Sequence, residues 1–228
     1  MARRLEALGC PPGRIREQRI ALDLAGPAPA PPPRPARGGA LVIHAAGRFI
    51  EKKGLELAIR AFAAVARDHP RAELRIAGSG PLAPRLQRVR RETGLEERIR
   101  FLGHLPHAAW REELRRSHVV LCASRTAPDG DGEGGVPTVL LEAQAAARPV
   151  VATRHDDIPH VTAPELHRFL SPEGDARALG EALGRLLDAP SEWEALRRAG
   201  RRHVEARHDA AHEVHALEEL YAELGTGR

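Results

Sequence analysis

Aromatic residues are scarce, with 4 Phe, 2 Trp and 1 Tyr among 228 residues. A core must therefore be assembled from Leu, Val, Ile and Ala, and little remains for a surface that stacks on nucleic-acid bases. Cysteine is nearly missing. Cys10 and Cys122 stand far apart with no CxxC, which excludes a disulfide framework. Cys122, inside an apolar run, reads as a small core residue. Long hydrophobic runs are absent too. The longest, such as 119–123, reach about five residues, whereas a membrane-spanning helix needs ~20. The opening MARRLEALGC has the basic residues of a secretory signal but no apolar segment behind them. The expectation is a cytoplasmic protein, with the inner face of the membrane as a peripheral location. Lysine is the last absence: 33 of the 35 basic residues are Arg, and the only lysines are the adjacent pair Lys52 and Lys53. Coding bias explains the Arg excess, and under that bias a surviving Lys pair is a place to look for chemistry.

What is present describes a folded domain. Hydrophobic residues make up 42% and charged residues 29%; the 21 Gly and 19 Pro stay below the level at which disorder is expected. The length fits one domain and a fraction. The net charge of +4 raises the question of nucleic acid. The Arg residues, however, are interleaved with Glu along the chain and form no basic run with aromatics between, so no nucleic-acid partner is expected. Of the 12 His, none forms an HExxH; His208, His212 and His215 fall at i, i+4, i+7. Such a face can bind zinc, but a solvated helix face is the commoner meaning, and no metal is expected.

Residues 3–8 read as a helix, 9–13 as a turn and 15–24 as an extended piece. Six prolines between Pro27 and Gly39 forbid a helix and favour an extended linker. From Ala40 the pattern turns regular. A strand running into a loop is expected over 40–49, a strand ending in glycines at 72–80, further strands at 98–105, 118–124 and 150–153, and a sixth at 167–171. Helices are expected at 54–69, 82–93, 107–117, 137–147, 175–188, 191–207 and 209–224. Short apolar strands alternating with helices of 10–16 residues mean an α/β fold, a doubly wound parallel sheet of Rossmann-like type covered on both faces. It spans 40–190, preceded by a segment at 1–39 too small to fold alone and followed by helices at 191–228. Ligands of such folds bind beyond the carboxyl ends of the strands.

Three loops at those ends carry candidates. The first, Gly47–Gly54, holds Arg48 and Lys53 just before a helix N-terminus, whose free N–H groups and partial positive charge suit a diphosphate. It is not a Walker A loop, and a solvated charged turn is an equal alternative on these residues alone. The second contains Gly78-Ser79-Gly80, where glycines let backbone approach a ligand or simply make a tight turn. It matches neither GxGxxG nor GxSxG. The third, 124–136, is rich in Gly and acid and leads into a helix bearing Glu142. That carboxylate is flanked by Leu140, Leu141, Ala143 and Ala145 and could hold ribose hydroxyls; otherwise it faces outward beside Gln144.

In order, GRFIEKKGLELAIRAFA, LRIAGSGPL, IRFLGHL and CASRTAPDGDGEGGVPTVLLEAQAAARPVVAT resemble the donor-binding, C-terminal half of a retaining glycosyltransferase of family 4, with the GT-B fold. The resemblance covers nearly all of 15–224. It implies that Arg48 and Lys53 bind the diphosphate, Glu142 the ribose, and Glu133 lies by the transferred sugar as the catalytic-site carboxylate. Gly134 and Gly135 bring backbone to sugar and phosphate, the glycines Gly78 and Gly80 line the donor site, and Gly103-His104 touch the base through main chain. It further implies transfer with retention, no cofactor and no metal. Two departures stand out: eight residues separate the Glu pair where seven are usual, and EAMA reads EAQA through Gln144, a change expected to matter little. Residues 3–24 resemble the end of an acceptor-binding first domain, so a nucleotide-diphosphate sugar donor is an expected partner, with the acceptor (glycan or lipid-linked) bound by a domain outside this sequence. A non-catalytic nucleotide-sugar-binding or interaction module is the other class.

Overall fold

The structure, a computed structural model, describes residues 2–26 and 40–226; the linker expected at 27–39 lies outside the described residues. Six strands form one sheet: β1 (Leu41–Ala46), β2 (Ala72–Ala77), β3 (Ile99–Gly103), β4 (Val119–Cys122), β5 (Val150–Thr153) and β6 (Leu170–Ser171). Their order is β3-β2-β1-β4-β5-β6, every pairing parallel. The expected doubly wound, Rossmann-like fold is therefore the observed one. The order reverses between β1 and β4, which is where such sheets open a ligand crevice.

The strands follow from composition. β4 and β5 are buried at every position, as a strand covered on both faces must be. β3, at the edge, is half-exposed. The helices are α1 (Ala2–Ala7), α2 (Leu55–Ala66), α3 (Ala83–Glu92), α4 (His107–Arg116), α5 (Thr138–Ala145), α6 (Ile158–Val161), α7 (Ala176–Asp188), α8 (Trp193–His208) and α9 (Ala210–Thr226). In α2 the residues at helical spacing, Leu55, Ala58, Ile59, Phe62 and Val65, are all buried. Truncating Phe62, fully enclosed, would cost about 3–5 kcal/mol. α2 packs on α7, and Gly180 permits the approach: a Cβ there would stand 3.0 Å from the Ala61 carbonyl oxygen. Asp175 caps α7 by accepting the Ala178 N–H at 2.9 Å. Right-handed crossovers put α4 and α5 on the opposite face. There the buried Arg148 donates to the carbonyls of Leu114 (3.1 Å) and Arg115 (2.9 Å), closing the end of α4. Burial, with Arg197 and Arg115 nearby, lowers its pKa to about 10, so it stays charged at neutral pH.

Two expectations need correction. β6 is only two residues long, because a 3-10 segment led by Pro164 (Pro164–Phe169) buries Leu166 and Phe169 in place of a longer strand. His208, His212 and His215 do not share a face. His208 ends α8, is buried, and its Nδ1 lies 2.8 Å from the Ile20 carbonyl, while His212 and His215 are exposed on α9 beyond a bend at Asp209. The segment read as extended, 15–24, forms no strand but crosses that bend: Leu22 N–H donates to His208 (2.7 Å) and Leu22 accepts from Ala210 N–H (2.9 Å). Of the last three helices α9 alone exposes large apolar side chains, Val214, Tyr221 and Leu224, among the described residues. No helix among these residues is long and apolar enough to cross a membrane.

Candidate functional site

The site is built where β1 and β4 diverge. After β1, residues 51–53 make one 3-10 turn that ends at Gly54, φ 57°. A Cβ on Gly54 would fall 1.9 Å from the Ala123 carbonyl oxygen, so only glycine lets the start of α2 press against the end of β4. This contact carries Lys53 over the crevice. Its stem crosses Gly47, and its Nζ meets both oxygens of Glu133 at 2.9 and 2.6 Å. Arg48 stands exposed in the same loop. Lys52 turns the other way along the acidic loop, to Asp131 (3.0 Å) and the Gly132 carbonyl (2.9 Å).

Glu133 is almost enclosed, its side chain 6% exposed. Ser124 Oγ donates to its Oε1 at 2.5 Å, and Thr153 Oγ1 in turn donates to the Ser124 carbonyl. The Glu133 N–H donates to His155 Nε2 at 3.1 Å, and the Gly134 N–H to Asp156 Oδ2 at 3.1 Å. Nε2 also lies 3.0 Å from Asp156 Oδ2 and Nδ1 lies 2.5 Å from Glu173 Oε2, so this buried imidazole sits between two carboxylates. Burial works against the Glu173 charge, but hydrogen bonds from His155 and from Thr126 outweigh it and hold the carboxyl below its ordinary range. Asp156 adopts φ 44°, a left-handed conformation uncommon for any residue but Gly. Gly134, at φ 67°, and Gly135 have open space where a side chain would be. The acidic loop is thus tied down at its backbone by three groups from the far side of the crevice, with bare glycine backbone beside Glu133.

Glu142 lies at the other end. It projects from the middle of α5, half-buried, and accepts the indole N–H of Trp110 on α4. Trp110 stacks on His44 at 4.9 Å between centroids and 28° between planes. His44, central in β1, is fully buried with neither ring nitrogen hydrogen-bonded. Burial first, then the nearby Arg75, lowers its pKa to about 4. Glu142 does not face outward beside Gln144, since Gln144 is fully buried. The Gln144 amide donates to Leu140 (3.1 Å) and Val161 (2.7 Å) and accepts from Ala163 N–H (2.9 Å). Two of these three hydrogen bonds tie α5 to α6 and to Ala163 just beyond it, so the change from EAMA to EAQA is structural, a correction to the expectation that it matters little.

Gly78 and Gly80 have a reason other than a ligand. A Cβ on Gly78 would lie 1.9 Å from the Gly47 carbonyl oxygen, and one on Gly80 2.8 Å from the Phe49 nitrogen. The loops after β1 and β2 are pressed together and hydrogen-bonded, Phe49 N–H to Ser79 at 2.8 Å. His104 is exposed just past β3, whose last residue Gly103 accepts the Gly78 N–H at 2.7 Å. Ser124, His155, Asp156, Glu173 and Trp110 are additions to the residues the sequence singled out. His155 and Asp156 occupy the loop after β5, so the strand-end rule reaches them. Trp110 carries no signal beyond being one of two tryptophans, at core spacing with Leu114. A hollow lined by Glu51, Arg85 and Arg125 lies beside the site, between α2 and α3. Arg85 and Arg125 are both paired with Glu51.

A crevice at the switch point of a 3-2-1-4-5-6 sheet gathers a lysine, a helix N-terminus, bare glycine backbone and two carboxylates, groups of the kind that suit a polar, phosphorylated ligand. The sequence model of the family described as Glycosyl transferases group 1 matches residues 31–203, and the chain belongs to that family. It is 32% identical over 207 residues to the amylovoran biosynthesis glycosyltransferase AmsK of Erwinia amylovora, covering 89% of this chain and 49% of AmsK. The chain spans about half the length of the curated relatives it matches. Among solved structures, a point mutant of S. aureus TarM in complex with fondaparinux, alpha-GlcNAc-glycerol and UDP superposes with a TM-score of 0.75 at 15% identity, over 96% of this chain and 42% of TarM. The C-terminal domain of a glycosyl transferase group 1 family protein (LpcC) of Francisella tularensis gives 0.69 at 19% identity, over 83% of this chain and all of that one. These likenesses establish the fold.

Proposed function

We propose that residues 40–226 form the donor-binding half of a retaining glycosyltransferase of family 4, which takes a nucleotide-diphosphate sugar. Lys53 and Arg48 bind the diphosphate with the N-terminus of α2, Glu142 holds the ribose, and Gly103-His104 meet the base through main chain. Glu133, Gly134 and Gly135 face the transferred sugar. The acceptor, a glycan or lipid-linked sugar, is bound by a domain outside this sequence, at the cytoplasmic face of a membrane when it is lipid-linked. The contact of Lys53 with Glu133 carries the reading: a cation for the leaving group and a carboxylate for the sugar converge within hydrogen-bond reach at the switch point. That TarM was solved with UDP supports a nucleotide donor for this fold.

The chemistry follows from the charges. Breaking the bond between the anomeric carbon and the diphosphate puts negative charge on the leaving phosphate. A lysine, an arginine and helix N–H groups at that end of the crevice stabilise that charge once the diphosphate draws Lys53 from Glu133. No metal is needed in this scheme. The test is calorimetric titration with UDP- and GDP-sugars, followed by transfer assays with the chain co-expressed beside a GT-B acceptor domain from its genomic neighbourhood. Binding with transfer is expected. Absence of binding to either donor contradicts the reading, and binding without transfer beside any such domain favours a non-catalytic sugar-nucleotide module.

A further inference from the structure

We propose that Trp110 is a positioning residue that aims Glu142, and that the pair sets selectivity for a nucleotide carrying free ribose hydroxyls. The inference rests on the donor reading above and deepens it.

Glu142 Oε2 accepts the Trp110 indole N–H, and its side chain has no other hydrogen bond or ion pair among the described residues. The carboxylate thus keeps its full charge but loses its freedom to rotate, and Oε1 is left to accept. The donor is itself immobile. Trp110 is 9% exposed and lies on the ring of His44, which is itself fully buried. The indole is therefore fixed by packing from below, and the direction of its N–H is set before any ligand arrives. Ala143 beside Glu142 is buried in the same apolar cluster as Trp110, and Leu141 on the other side is buried against Val161 and Val204, which fixes α5 from two directions. A carboxylate so held, in a partly dry setting, makes strong hydrogen bonds to a pair of adjacent hydroxyls. It has no compensation when those hydroxyls are missing, because an unpaired acceptor there keeps its desolvation cost. A lysine or arginine at position 110 would bind the carboxylate more tightly but neutralise it. The indole orients without neutralising.

The test compares UDP and GDP with their 2′,3′-dideoxy forms, by calorimetry, on the wild type and on W110F, which keeps a ring on His44 and removes the N–H. The wild type is expected to prefer the ribose forms by about tenfold, and W110F to lower that preference to about twofold while binding the dideoxy forms as before. A loss of packing alone would weaken both forms equally. A second readout uses the folded wild type. The chain has only two tryptophans, so its indole N–H groups give two NMR resonances. UDP or GDP should move the Trp110 resonance, the dideoxy form should leave it nearly in place, and E142Q should shift it without ligand. An unchanged ribose preference in W110F overturns the role of Trp110. A wild type that binds without preferring ribose overturns the assignment of Glu142. A wild type that binds neither nucleotide overturns the donor reading and the inference with it.

Discussion

Glu133 and Glu142 stand nine positions apart and line one crevice, yet the protein holds them in opposite ways. Glu133 is clasped by the Lys53 ammonium and the Ser124 hydroxyl. Glu142 meets only a neutral indole. At the Glu133 end the charge is compensated within the protein, so on the proposed reading a diphosphate would compete for Lys53 and free the carboxylate. At the Glu142 end nothing is compensated, and the site waits for hydroxyl donors. On the donor reading proposed above, a single crevice would take the two parts of a nucleoside diphosphate differently, one through displaced ion pairs and one through a prepared acceptor. The extra residue between the two carboxylates lies outside the helix. α5 begins only at Thr138, so the insertion lengthens a loop instead of turning Glu133 about a helix axis. That loop is then retied by His155 and Asp156.

Acid should break the dry end first and most. His44 has its pKa lowered to about 4 from 6.5, so the folded protein keeps it neutral while the unfolded chain takes up a proton as pH falls through 6.5. Stability from this residue is therefore complete above pH 6.5 and is lost down to about pH 4, by about 3 kcal/mol. H44F, measured by urea unfolding at pH 7 and pH 4, should lose that much less than the wild type; an unchanged loss would contradict the account. Glu173 acts lower: its carboxyl is held below 4.5, so its contribution persists above that value and disappears as pH falls further.

The ionic end has three tests of decreasing size. K53A should weaken UDP, GDP and inorganic pyrophosphate alike, tenfold or more, because each loses the same charge-assisted contact; equal affinities in calorimetry would remove Lys53 from the site. E133Q should do the reverse. Lys53 no longer has to leave a carboxylate, which is worth on the order of 1 kcal/mol, so nucleoside diphosphates should bind about fivefold tighter. Weaker binding in E133Q would show that the pair assists the ligand instead of competing with it. H155A unties the Glu133 backbone, and a sugar nucleotide should bind about threefold more weakly while the bare diphosphate is unaffected. An equal loss for both would mean that His155 supports the fold and not the sugar end.

Apolar rhythm made the doubly wound parallel sheet readable in the sequence; Lys53 stood out in its strand-end loop and Glu133 only through the family resemblance, and the structure brings these two together while Arg48 lies exposed beside them. Glu142 was readable because a carboxylate amid Leu and Ala has to answer for its burial. The partners were not. Trp110 reaches Glu142 from another helix, and Glu173 reaches His155 from the loop after β6; long-range side-chain pairs leave no periodic trace. Gly78 and Gly80 were readable as places of close approach, but the neighbour turned out to be the loop after β1. Gln144 shows the same limit: a polar residue in an apolar helix looks displaced until its three main-chain partners are seen.

The division of the crevice is tested most directly by titrating E142A with pyrophosphate and with UDP or GDP in one calorimetric series. The account predicts pyrophosphate affinity within about twofold of the wild type and about a tenfold loss for the nucleoside diphosphate, since only the nucleoside brings hydroxyls to that end. An equal loss for both ligands, or no loss for either, would contradict it.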